Sequence, residues 1–398
     1  MDSLISARNQ RVMIVHNHYR SASPSGENRV VIATGEALKE AGAAVLHFDR
    51  RSDEIEGMSP LSKASLVLDP IYSISSLRQF SIEVRDWRPN VMHVHNVYPL
   101  ISPAVVRAAA AVNLPVVHFV HNYRHACLNG LLYRSGAACA LCVEKGSFGP
   151  GIRFGCYRGS KLQSALLATS ETVHRSTWEK VDRLVAVSRF VKDRLVEIGF
   201  DPDRIVVIPN LTRDPGPPIP VDRARFLFAG RLERAKGVEM LVDAWRDAHL
   251  PPPYSLAIAG SGDLEGLVRA AQKELPRVEY LGQLDRDALD LAIRTSAAVV
   301  VPSLVHETFG LTAIEAFSHG RAVVATSMGG LPEVVSGGVG WLAEPSIKDL
   351  ARALIQAAGD EAELQRRGSF ARARFEAQYS SQAVVARLLT LNAELIEA

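Results

Sequence analysis

Short apolar runs alternate with longer amphipathic stretches along most of this chain. A short run that is apolar throughout predicts a strand buried on both faces, and apolar positions at the helical repeat predict a helix. In the N-terminal half the predicted strands are Val12–Val15, Ala44–Phe48, Val91–Val94, Val116–Val120, Arg183–Ala186 and Ile205–Ile208. In the C-terminal half they are Arg225–Phe228, Ser255–Ala259, Val278–Tyr280, Ala298–Val301 and Ala322–Ala325. Helical segments such as Arg29–Ala41 and Val105–Ala111 lie between strands. The alternation indicates α/β domains with parallel sheets.

A proline-rich stretch divides the chain into two parts. Residues 209–220 read Pro-Asn-Leu-Thr-Arg-Asp-Pro-Gly-Pro-Pro-Ile-Pro, which is typical of a linker between domains. A chain of 398 residues is also too long for one ordinary hydrophobic core. We therefore expect an N-terminal domain over 1–211 and a C-terminal domain over 212–377. An amphipathic helix over about 378–398 is predicted to end the chain.

An acidic loop leads into a predicted helix after the strand Ala298–Val301. Glu307 and Glu315 stand on either side of Phe309-Gly310, the pair that opens the helix. A helix N-terminus presents unpaired N–H groups and the positive end of a dipole, which favours a phosphate. Carboxylates would repel that phosphate, but they accept hydrogen bonds from the vicinal hydroxyls of a ribose or a sugar. Phosphate, ribose and sugar together make a nucleotide sugar.

Two cations follow the predicted strand Arg225–Phe228. Arg231 and Lys236 lie just past its carboxyl end, where open α/β sheets bind their ligands. Two fixed cations at that position can neutralise a pyrophosphate without a metal ion. Taken alone, Glu307 is more simply explained as a loop residue and Glu315 as a solvated helix residue. The basic pair and the acidic pair together favour a nucleotide-sugar site.

These motifs, in their order along the chain, resemble the donor-binding domain of glycosyltransferase family 4, which comprises retaining enzymes of the GT-B fold. The matching segments are Gly230-Arg231, Lys236-Gly237, Ala259-Gly260-Ser261-Gly262-Asp263, Leu281-Gly282, Glu307-Thr308-Phe309-Gly310, Glu315-Ala316, Ser318-His319-Gly320 and Gly329-Gly330-Leu331-Pro332-Glu333-Val334-Val335. The resemblance implies two Rossmann-like domains whose parallel sheets face each other across a cleft. It also implies that the C-terminal helix returns to pack on the first, acceptor-side domain.

The resemblance further implies roles for individual residues. Arg231 and Lys236 would stabilise the pyrophosphate leaving group. Glu307 would hold the transferred sugar, and Glu315 would hold the ribose. The remaining donor-binding positions that it implies are Gly26, Gly260, Gly282, Leu284, Thr308, Phe309, Gly310 and Leu311.

Two of the implied site residues lie in the N-terminal half. Gly26 marks a loop-to-helix junction, where a glycine lets the backbone approach a phosphate closely. Family 4 often has two glycines here, whereas this chain has Ser25-Gly26. His121 follows the strand Val116–Val120; a histidine at this strand end in family 4 faces the donor sugar, so His121 would hydrogen-bond a sugar hydroxyl. A turn glycine and a structural histidine are the simpler alternatives. Further histidines at strand ends, without an assigned role, are His16, His18, His93, His95, His118 and His125.

The reaction implied is hexosyl transfer with retention, from a nucleotide-diphosphate sugar to a saccharide or lipid-linked acceptor in polysaccharide or glycolipid biosynthesis. The family's retention is explained by front-side attack, in which the donor phosphate takes the acceptor's proton. No catalytic divalent metal is expected, because the Asp-x-Asp triplets at 201–203 and 285–287 are interpreted as turn and helix-cap residues. Two alternatives remain. One is a nucleotide-sugar epimerase of GT-B fold, and the other is a catalytically inactive nucleotide-sugar-binding protein.

All four cysteines of the chain fall in an insert predicted over 124–160. They are Cys127, Cys139, Cys142 and Cys156. Cys139 and Cys142 form a C-x2-C knuckle, and disulfides are disfavoured in a chain without a signal peptide. Because the insert has little apolar periodicity, a structural Zn²⁺ site would supply the stability that it lacks. Unrelated reduced cysteines and an iron–sulfur cluster are the alternatives.

Composition and charge indicate which binding partners, membrane or nucleic acid, are expected. No apolar stretch approaches the roughly 18 residues of a membrane span, and the N-terminus lacks the pattern of a signal peptide. Residues 1–210 contain 25 Lys and Arg against 19 Asp and Glu, which gives +6, and the rest of the chain carries −4. Nucleic acid is not expected, because no dense basic tract occurs. We expect a cytoplasmic protein whose basic first half allows peripheral contact with the inner face of an anionic membrane.

Overall fold

The computed structural model describes residues 7–21, 25–59, 63, 66, 68–219 and 224–398. The chain divides into two units. The first unit contains Met1–Leu131, Ala140–Leu211 and Ser381–Ala398, and the second contains Leu132–Cys139 and Thr212–Ser380. The last residue of the predicted linker, Pro220, lies outside the described residues.

Strands and helices alternate through both units. In chain order the strands are β1 (Arg11–His18), β2 (Ala44–Arg51), β3 (Val91–Val94), β4 (Val116–Val120), β5 (Tyr133–Arg134), β6 (Ala137–Ala138), β7 (Arg183–Ala186), β8 (Ile205–Val207), β9 (Arg225–Ala229), β10 (Ser255–Ala259), β11 (Val278–Gly282), β12 (Ala298–Val301), β13 (Ala322–Thr326) and β14 (Gly340–Ala343). The helices are α1 (Gly26–Glu40), α2 (Glu54–Gly57), α3 (Ile74–Trp87), α4 (Ala104–Ala110), α5 (Leu141–Glu144), α6 (Gly149–Arg153), α7 (Lys161–Val173), α8 (Arg175–Trp178), α9 (Arg189–Glu197), α10 (Val238–Ala248), α11 (Glu265–Glu274), α12 (Arg286–Arg294), α13 (Leu311–Ser318), α14 (Leu331–Val335), α15 (Ile347–Ala358), α16 (Glu361–Arg374) and α17 (Ser381–Glu397). Short 3-10 segments cover Ala7–Asn9, Pro202–Arg204 and Arg234–Lys236, and Phe375–Tyr379 forms a π-helical turn.

The first unit is built on a parallel sheet with the strand order β2-β1-β3-β4-β7-β8. The order reverses between β1 and β3, which pair in parallel. In open α/β sheets a ligand binds at such a switch point, outside the carboxyl ends of the strands. The loops that follow β1 and β3 are therefore the expected binding loops of this unit.

The C-terminal helix α17 completes the core of the first unit. Leu388 and Leu391 of α17 belong to the same buried apolar cluster as Val12 of β1. Full burial of a leucine side chain contributes about 1.5–3 kcal/mol. The side chain of Asn392, which is fully buried, hydrogen-bonds His93 of β3 at 2.8 Å. The last helix is thus part of the helical layer that packs on this sheet.

The second unit has the strand order β11-β10-β9-β12-β13-β14, again all parallel. Counted within the unit this is 3-2-1-4-5-6, the order of a dinucleotide-binding Rossmann fold. Its switch point lies between β9 and β12. The core beneath the sheet is formed by apolar strand residues and helices α10 and α15.

The predicted fold class, α/β with two Rossmann-like parallel sheets, is confirmed. The apolar runs located the principal strands, although β1 continues to His18 because its polar end still pairs with β2. The pattern missed β14, whose four residues, Gly340 to Ala343, include the exposed Leu342 and form no continuous buried run. In the described part of the chain, no helix combines the length and the apolar character needed to cross a bilayer.

Candidate active site

The loops that follow β9 and β12, at the switch point of the second unit, pack tightly against each other. Gly237 has φ +71°, and a Cβ atom there would lie 1.8 Å from the carbonyl oxygen of Pro302. The N–H of Leu304 donates to the carbonyl of Ala235 at 2.9 Å. Only glycine tolerates both this conformation and this approach. Lys236 is therefore held against the loop that carries Glu307.

Lys236 and Glu307 form an ion pair at this point. Nζ of Lys236 lies 2.6 Å from Oε1 of Glu307, and the hydroxyl of Ser303 donates to the same oxygen at 2.5 Å. Burial alone would raise the pKa of Glu307, but the charge and hydrogen bond of Lys236 and the hydrogen bond of Ser303 lower it below its ordinary value. The guanidinium of Arg231 acts in the same direction. Glu307 is therefore an ionised hydrogen-bond acceptor near neutral pH.

The backbone of Glu307 is fixed by the loop that follows β13. Glu307 and Gly329 form a short parallel bridge, and the N–H of Gly330 donates to the carbonyl of Glu307 at 2.7 Å. Gly329 has φ +64°, and a Cβ atom there would lie 2.3 Å from that carbonyl oxygen. The Gly-Gly pair noted in the sequence thus positions the carboxylate of Glu307.

The acidic loop enters α13 at Gly310, which has φ +104° and caps the helix. Phe309 is buried, and its ring meets that of Tyr379 edge to face, with centroids 5.6 Å apart. This contact fixes the start of α13, whose first amides lie at the same sheet edge as Lys236 because β9 and β12 are adjacent parallel strands. Glu315 lies within α13 and is partly buried. The predicted helix opening is confirmed.

Arg231 lies on the more exposed side of this edge. Its Nη1 is 2.7 Å from Oε1 of Glu233, and the two side chains are 46% and 33% exposed. Exposed ion pairs contribute only about 0–1 kcal/mol to stability. The guanidinium can therefore exchange Glu233 for an anionic ligand with little loss.

Further predicted residues gather in the loops after β10 and β11. The N–H of Gly260 donates to the carbonyl of Gly282 at 2.7 Å. The hydroxyl of Ser261 donates to Oε1 of Gln283 at 2.9 Å, next to Leu284. Because β10 neighbours β9, this loop cluster lies at the same edge of the sheet as the charged pairs.

In the first unit, His121 is hydrogen-bonded to another histidine. Nδ1 of His95 and Nε2 of His121 are 2.8 Å apart, and the two rings stack with centroids 5.1 Å apart. Among the described residues, Nε2 of His95 is buried without a partner. A buried N–H without an acceptor is less tolerable than a bare lone pair. The proton therefore sits on Nδ1 of His95, and His121 carries its own proton on Nδ1.

Burial sets the charge of these rings. It lowers the pKa of His95 well below the ordinary value, and neighbouring histidines add to the effect. It also lowers the pKa of His121, although the carboxylate of Glu27 opposes the shift. His121 is thus neutral near pH 7 and offers one N–H, on Nδ1, to a ligand.

A second pair of hydrogen-bonded histidines, His118 and His125, lies in the same unit. Nδ1 of His118 donates to the carbonyl of Val94 at 3.1 Å, so its Nε2 accepts from Nε2 of His125 at 2.9 Å. Nδ1 of His125 faces the buried carboxylate of Glu171 at 3.0 Å. The buried carboxylate of Glu171 is thus hydrogen-bonded within the unit.

Gly26 and His121 lie at the same edge of the first sheet. Gly26 is the first residue of α1, and the side chain of the next residue, Glu27, accepts hydrogen bonds from Tyr19 at 3.1 Å and Asn122 at 3.5 Å. A cavity of about 30 Å³ opens here, lined in part by Glu27 and His121. This volume suffices for water. Residues 22–24 of the predicted phosphate loop lie outside the described residues.

The predicted zinc site is not supported by the structure. All four cysteines are free thiols, and among the described residues no group of three or more His, Cys, Asp or Glu is arranged to hold a metal ion. Sγ of Cys127 is instead hydrogen-bonded to Oδ1 of Asn129, at 2.9 Å within its own turn. Cys139 belongs to the segment Leu132–Cys139 of the second unit, whereas Cys142 and Cys156 belong to the first. A C-x2-C spacing is compatible with a metal site but does not establish one.

The two Asp-x-Asp triplets have the structural roles predicted for them. Oδ1 of Asp285 accepts from the N–H of Ala288 at 2.9 Å and caps α12. Oδ1 of Asp201 accepts from the N–H of Asp203 at 3.0 Å in a 3-10 turn.

Two residues that touch these sites, Ser303 and Glu171, were not identified from the sequence, and His95 was named there without an individual role. Ser303 follows the carboxyl end of β12, and His95 follows that of β3, a position at which ligand-binding residues are expected. Their position after a strand end was the sequence signal that could have identified them. Glu171 lies in the last turn of α7, 46 residues along the chain from His125, and no local pattern predicts its contact.

The chain has two α/β units, each with a parallel sheet and polar loops at its switch point. This is the architecture of the GT-B class of proteins. Residues 10–211 match the family described as glycosyl transferase 4-like domain, and residues 212–374 match glycosyl transferases group 1. The chain belongs to these glycosyltransferases.

Relatives and solved structures agree with this assignment. The chain is 29% identical to glycogen synthase of Mycobacterium tuberculosis over 313 residues, which cover 75% of this chain and 67% of that protein. It is 30% identical to D-inositol 3-phosphate glycosyltransferase of Xylanimonas cellulosilytica over 273 residues, or 62% of this chain and 57% of that protein. Sucrose-phosphate synthase of Thermosynechococcus elongatus superposes with a TM-score of 0.71 at 21% identity, covering 98% of this chain and all (100%) of that one. Anabaena HepE in complex with UDP gives 0.67 at 16% identity, covering 97% and 100%. At these identities the structural likeness shows the fold alone.

Proposed function

We propose that this protein transfers a hexosyl group, with retention of configuration, from a nucleotide-diphosphate sugar to a saccharide or lipid-linked acceptor. The observation that carries the proposal is the contact of Lys236 and Ser303 with Glu307 at the switch point of the second unit. The family assignment supports it, as do the names of relatives that transfer sugars. HepE, a structural neighbour, was solved with UDP and with UDP-glucose, which supports a nucleotide-sugar donor.

The ion pair supplies both halves of a donor site. Lys236 would turn from Glu307 to an oxygen of the donor's diphosphate, and the freed carboxylate would accept hydrogen bonds from the hydroxyls of the transferred sugar. Because the carboxylate is ionised, it would bind hydroxyls and would not act as a proton donor. After the exchange the lysine is paired with an anion, and the carboxylate remains hydrogen-bonded.

The neighbouring residues would complete donor binding. Arg231 would leave Glu233 for the diphosphate, and the first amides of α13 would donate to the same phosphate. Glu315 would accept from the ribose hydroxyls. The backbone near Gly282 and Leu284 would contact the base.

His121 would contribute a neutral hydrogen bond. Its Nδ1–H, oriented by His95, would donate to a hydroxyl of the sugar. A neutral donor at this position would not repel the positive charge that develops on the sugar ring as the bond to phosphate breaks. Gly26, at the start of α1, would let the backbone approach the phosphate.

The transfer would proceed on one face of the sugar. The bond between the anomeric carbon and the phosphate oxygen breaks, and the acceptor oxygen forms its bond on the same side. The acceptor's proton moves to the departing phosphate oxygen, so the products are the glycosylated acceptor and a nucleoside diphosphate. Arg231, Lys236 and the helix amides would stabilise the negative charge that develops on the leaving group, the role that a divalent metal has in other transferases.

A donor panel with matched variants tests the proposal. Thermal shift and nucleoside diphosphate release would be measured with UDP-, GDP- and ADP-glucose. We expect the donor with one of the three bases to stabilise the wild type. Its nucleoside diphosphate should be released slowly even without acceptor. Both signals should be lost in Lys236→Ala and kept in Lys273→Ala, which removes an exposed lysine on α11.

The alternatives give different outcomes in the same assay. Conversion of the free nucleotide sugar to its epimer would indicate an epimerase. Donor binding without release, with any acceptor offered, would indicate an inactive binding protein. A covalent sugar trapped on the protein in Glu307→Gln would contradict the front-side mechanism while leaving the transferase activity in place.

A further inference from the structure

A surface segment of the first unit has basic side chains and no acidic ones. Residues 145–170 contain Lys145, Arg153, Arg158 and Lys161, but neither Asp nor Glu, in a chain whose overall charge is +2. All four are exposed. In the part of the chain that the structure describes, none of them has a carboxylate partner. Surface cations are usually interspersed with acidic residues, so this is a local excess of positive charge.

Two large apolar side chains are exposed within the same segment. Phe154 is 47% exposed and Leu162 is 67% exposed. The connection between α6 and α7 folds back on itself. A Cβ atom on Gly155 would lie 3.3 Å from the carbonyl oxygen of Gly159 and 3.4 Å from the backbone nitrogen of Lys161. Phe154 and Leu162 adjoin the two ends of this tight turn.

The residues of this turn are here called the basic loop: Arg153, Phe154, Arg158, Lys161 and Leu162. We propose that the basic loop docks the protein on an anionic phospholipid bilayer. Phe and Leu side chains at the depth of the headgroups, surrounded by Lys and Arg, are the combination that interfacial membrane binding uses. A soluble polyanion would use the cations but would leave the two apolar side chains in water.

Another exposed apolar pair shows the contrast. Ile74 and Ile82 of α3 are 57% and 51% exposed. The same helix carries Glu83 and Asp86, which an anionic surface would repel. The basic loop is therefore the better docking site on charge. This inference does not depend on the proposed transfer reaction, because it concerns where the protein binds and not what it catalyses.

Vesicle co-sedimentation of the full chain tests the proposal. The vesicles would be phosphatidylcholine alone, and an equimolar mixture with phosphatidylglycerol. We expect binding to the anionic vesicles only, weakened by salt. The triple variant Arg153→Gln/Arg158→Gln/Lys161→Gln should weaken binding by at least about tenfold, since each cation near the surface contributes to attraction. Phe154→Ser/Leu162→Ser should weaken binding to the same vesicles without changing its salt dependence.

A matched control removes the same charge elsewhere. Lys273→Gln/Lys348→Gln/Arg387→Gln changes three other exposed cations and should bind like the wild type. Equal loss in this control would mean that net charge alone is responsible, and would overturn the proposal. So would a wild type that stays in the supernatant, or one that binds a single-stranded oligonucleotide in place of vesicles. Donor-dependent thermal shift of the triple variant should be unchanged, which separates failure of this inference from failure of the proposed function.

Discussion

The two units use the same type of sheet edge but place different polar groups there. At the switch point of the second unit, Lys236 and Glu307 carry full charges and are 26% and 16% exposed. At that of the first unit, His95 and His121 are close-packed, and burial lowers the pKa of both. One edge holds a compensated charge pair, and the other holds uncharged imidazole rings beside the carboxylate of Glu27.

The difference shows how each edge can meet a ligand. A paired lysine and glutamate can separate to match one anionic group and one hydroxyl-bearing group, because partial solvation keeps the separation inexpensive. Buried neutral imidazoles cannot supply charge, but they donate hydrogen bonds in a fixed direction. The charged edge of the second unit therefore fits binding of the diphosphate, and the imidazoles of the first unit fit orientation of hydroxyls.

Replacement of Lys236 should have the largest effect on donor turnover. Lys236→Ala leaves Glu307 without its counter-ion and the diphosphate without its cation. We expect turnover of the donor to fall by about 10²–10³-fold, the range seen when one stabilising group for a developing anion is lost. Nucleoside diphosphate release under saturating acceptor measures it. Unchanged turnover would remove the charged edge from the mechanism.

Gly237→Ala should disrupt the same edge through sterics. The added Cβ would lie 1.8 Å from the carbonyl oxygen of Pro302, in a residue with φ +71°. We expect a loss of about 2–4 kcal/mol in the stability of the second unit, the range for strained or overpacked positions. Thermal unfolding measures it. Gly266→Ala on α11, where a Cβ would meet nothing within 4 Å, is the control and should be neutral or slightly stabilising. A stable Gly237→Ala protein would contradict the close packing of these loops.

Acidification should reduce the stability of the first unit more than that of the second, although burial also lowers the pKa of His319 in the second. Burial lowers the pKa of His16 and of His93 to about 4. Below pH 6.5 the unfolded chain binds protons that these folded residues do not, so the stability of the first unit falls from pH 6.5 to about 4. The loss is about 3 kcal/mol per histidine.

Glu307 responds in a lower pH range. Because its folded pKa lies below the ordinary value of 4.5, the stability it contributes persists above 4.5 and is lost only as the pH falls through the folded value. Hydrogen exchange followed by peptide at pH 7 and pH 5 compares the units. Earlier exchange in peptides of the second unit would contradict the comparison.

Changes at His95 should have the smallest effect. His95→Phe keeps an aromatic ring but removes the N–H that orients His121. We expect turnover to fall by about tenfold, equivalent to one hydrogen bond. His95→Asn, which retains an N–H donor, should recover part of the loss. Nitrogen NMR of the wild type should show His121 protonated on Nδ1, whatever the activity. Protonation on Nε2 would contradict the assignment of His95 as its positioning residue.

Sequence reasoning located the parts of the fold that depend on local pattern. The apolar runs identified the strands around both switch points, and Phe309-Gly310 marked the start of α13. It also placed Lys236 and Glu307 in loops that the structure joins, because loops after adjacent parallel strands meet at one edge.

The remaining features depend on contacts between distant segments. Glu171 of α7 reaches His125, which lies in a turn, and the proton positions on His95 and His121 follow only from their geometry. The cysteines show the opposite error. The C-x2-C spacing is a local signal, but a metal site also requires Cys127 and Cys156 to converge on the same point. Among the described residues, the structure shows no such group of ligands.

A crystal structure with an intact nucleotide sugar tests the central proposal most directly. We predict that Nζ of Lys236 will lie within hydrogen-bond distance of a diphosphate oxygen, and that the carboxylate of Glu307 will accept from a hydroxyl of the sugar. A donor bound with its diphosphate away from the loops after β9 and β12, and with the Lys236–Glu307 pair still intact, would contradict it.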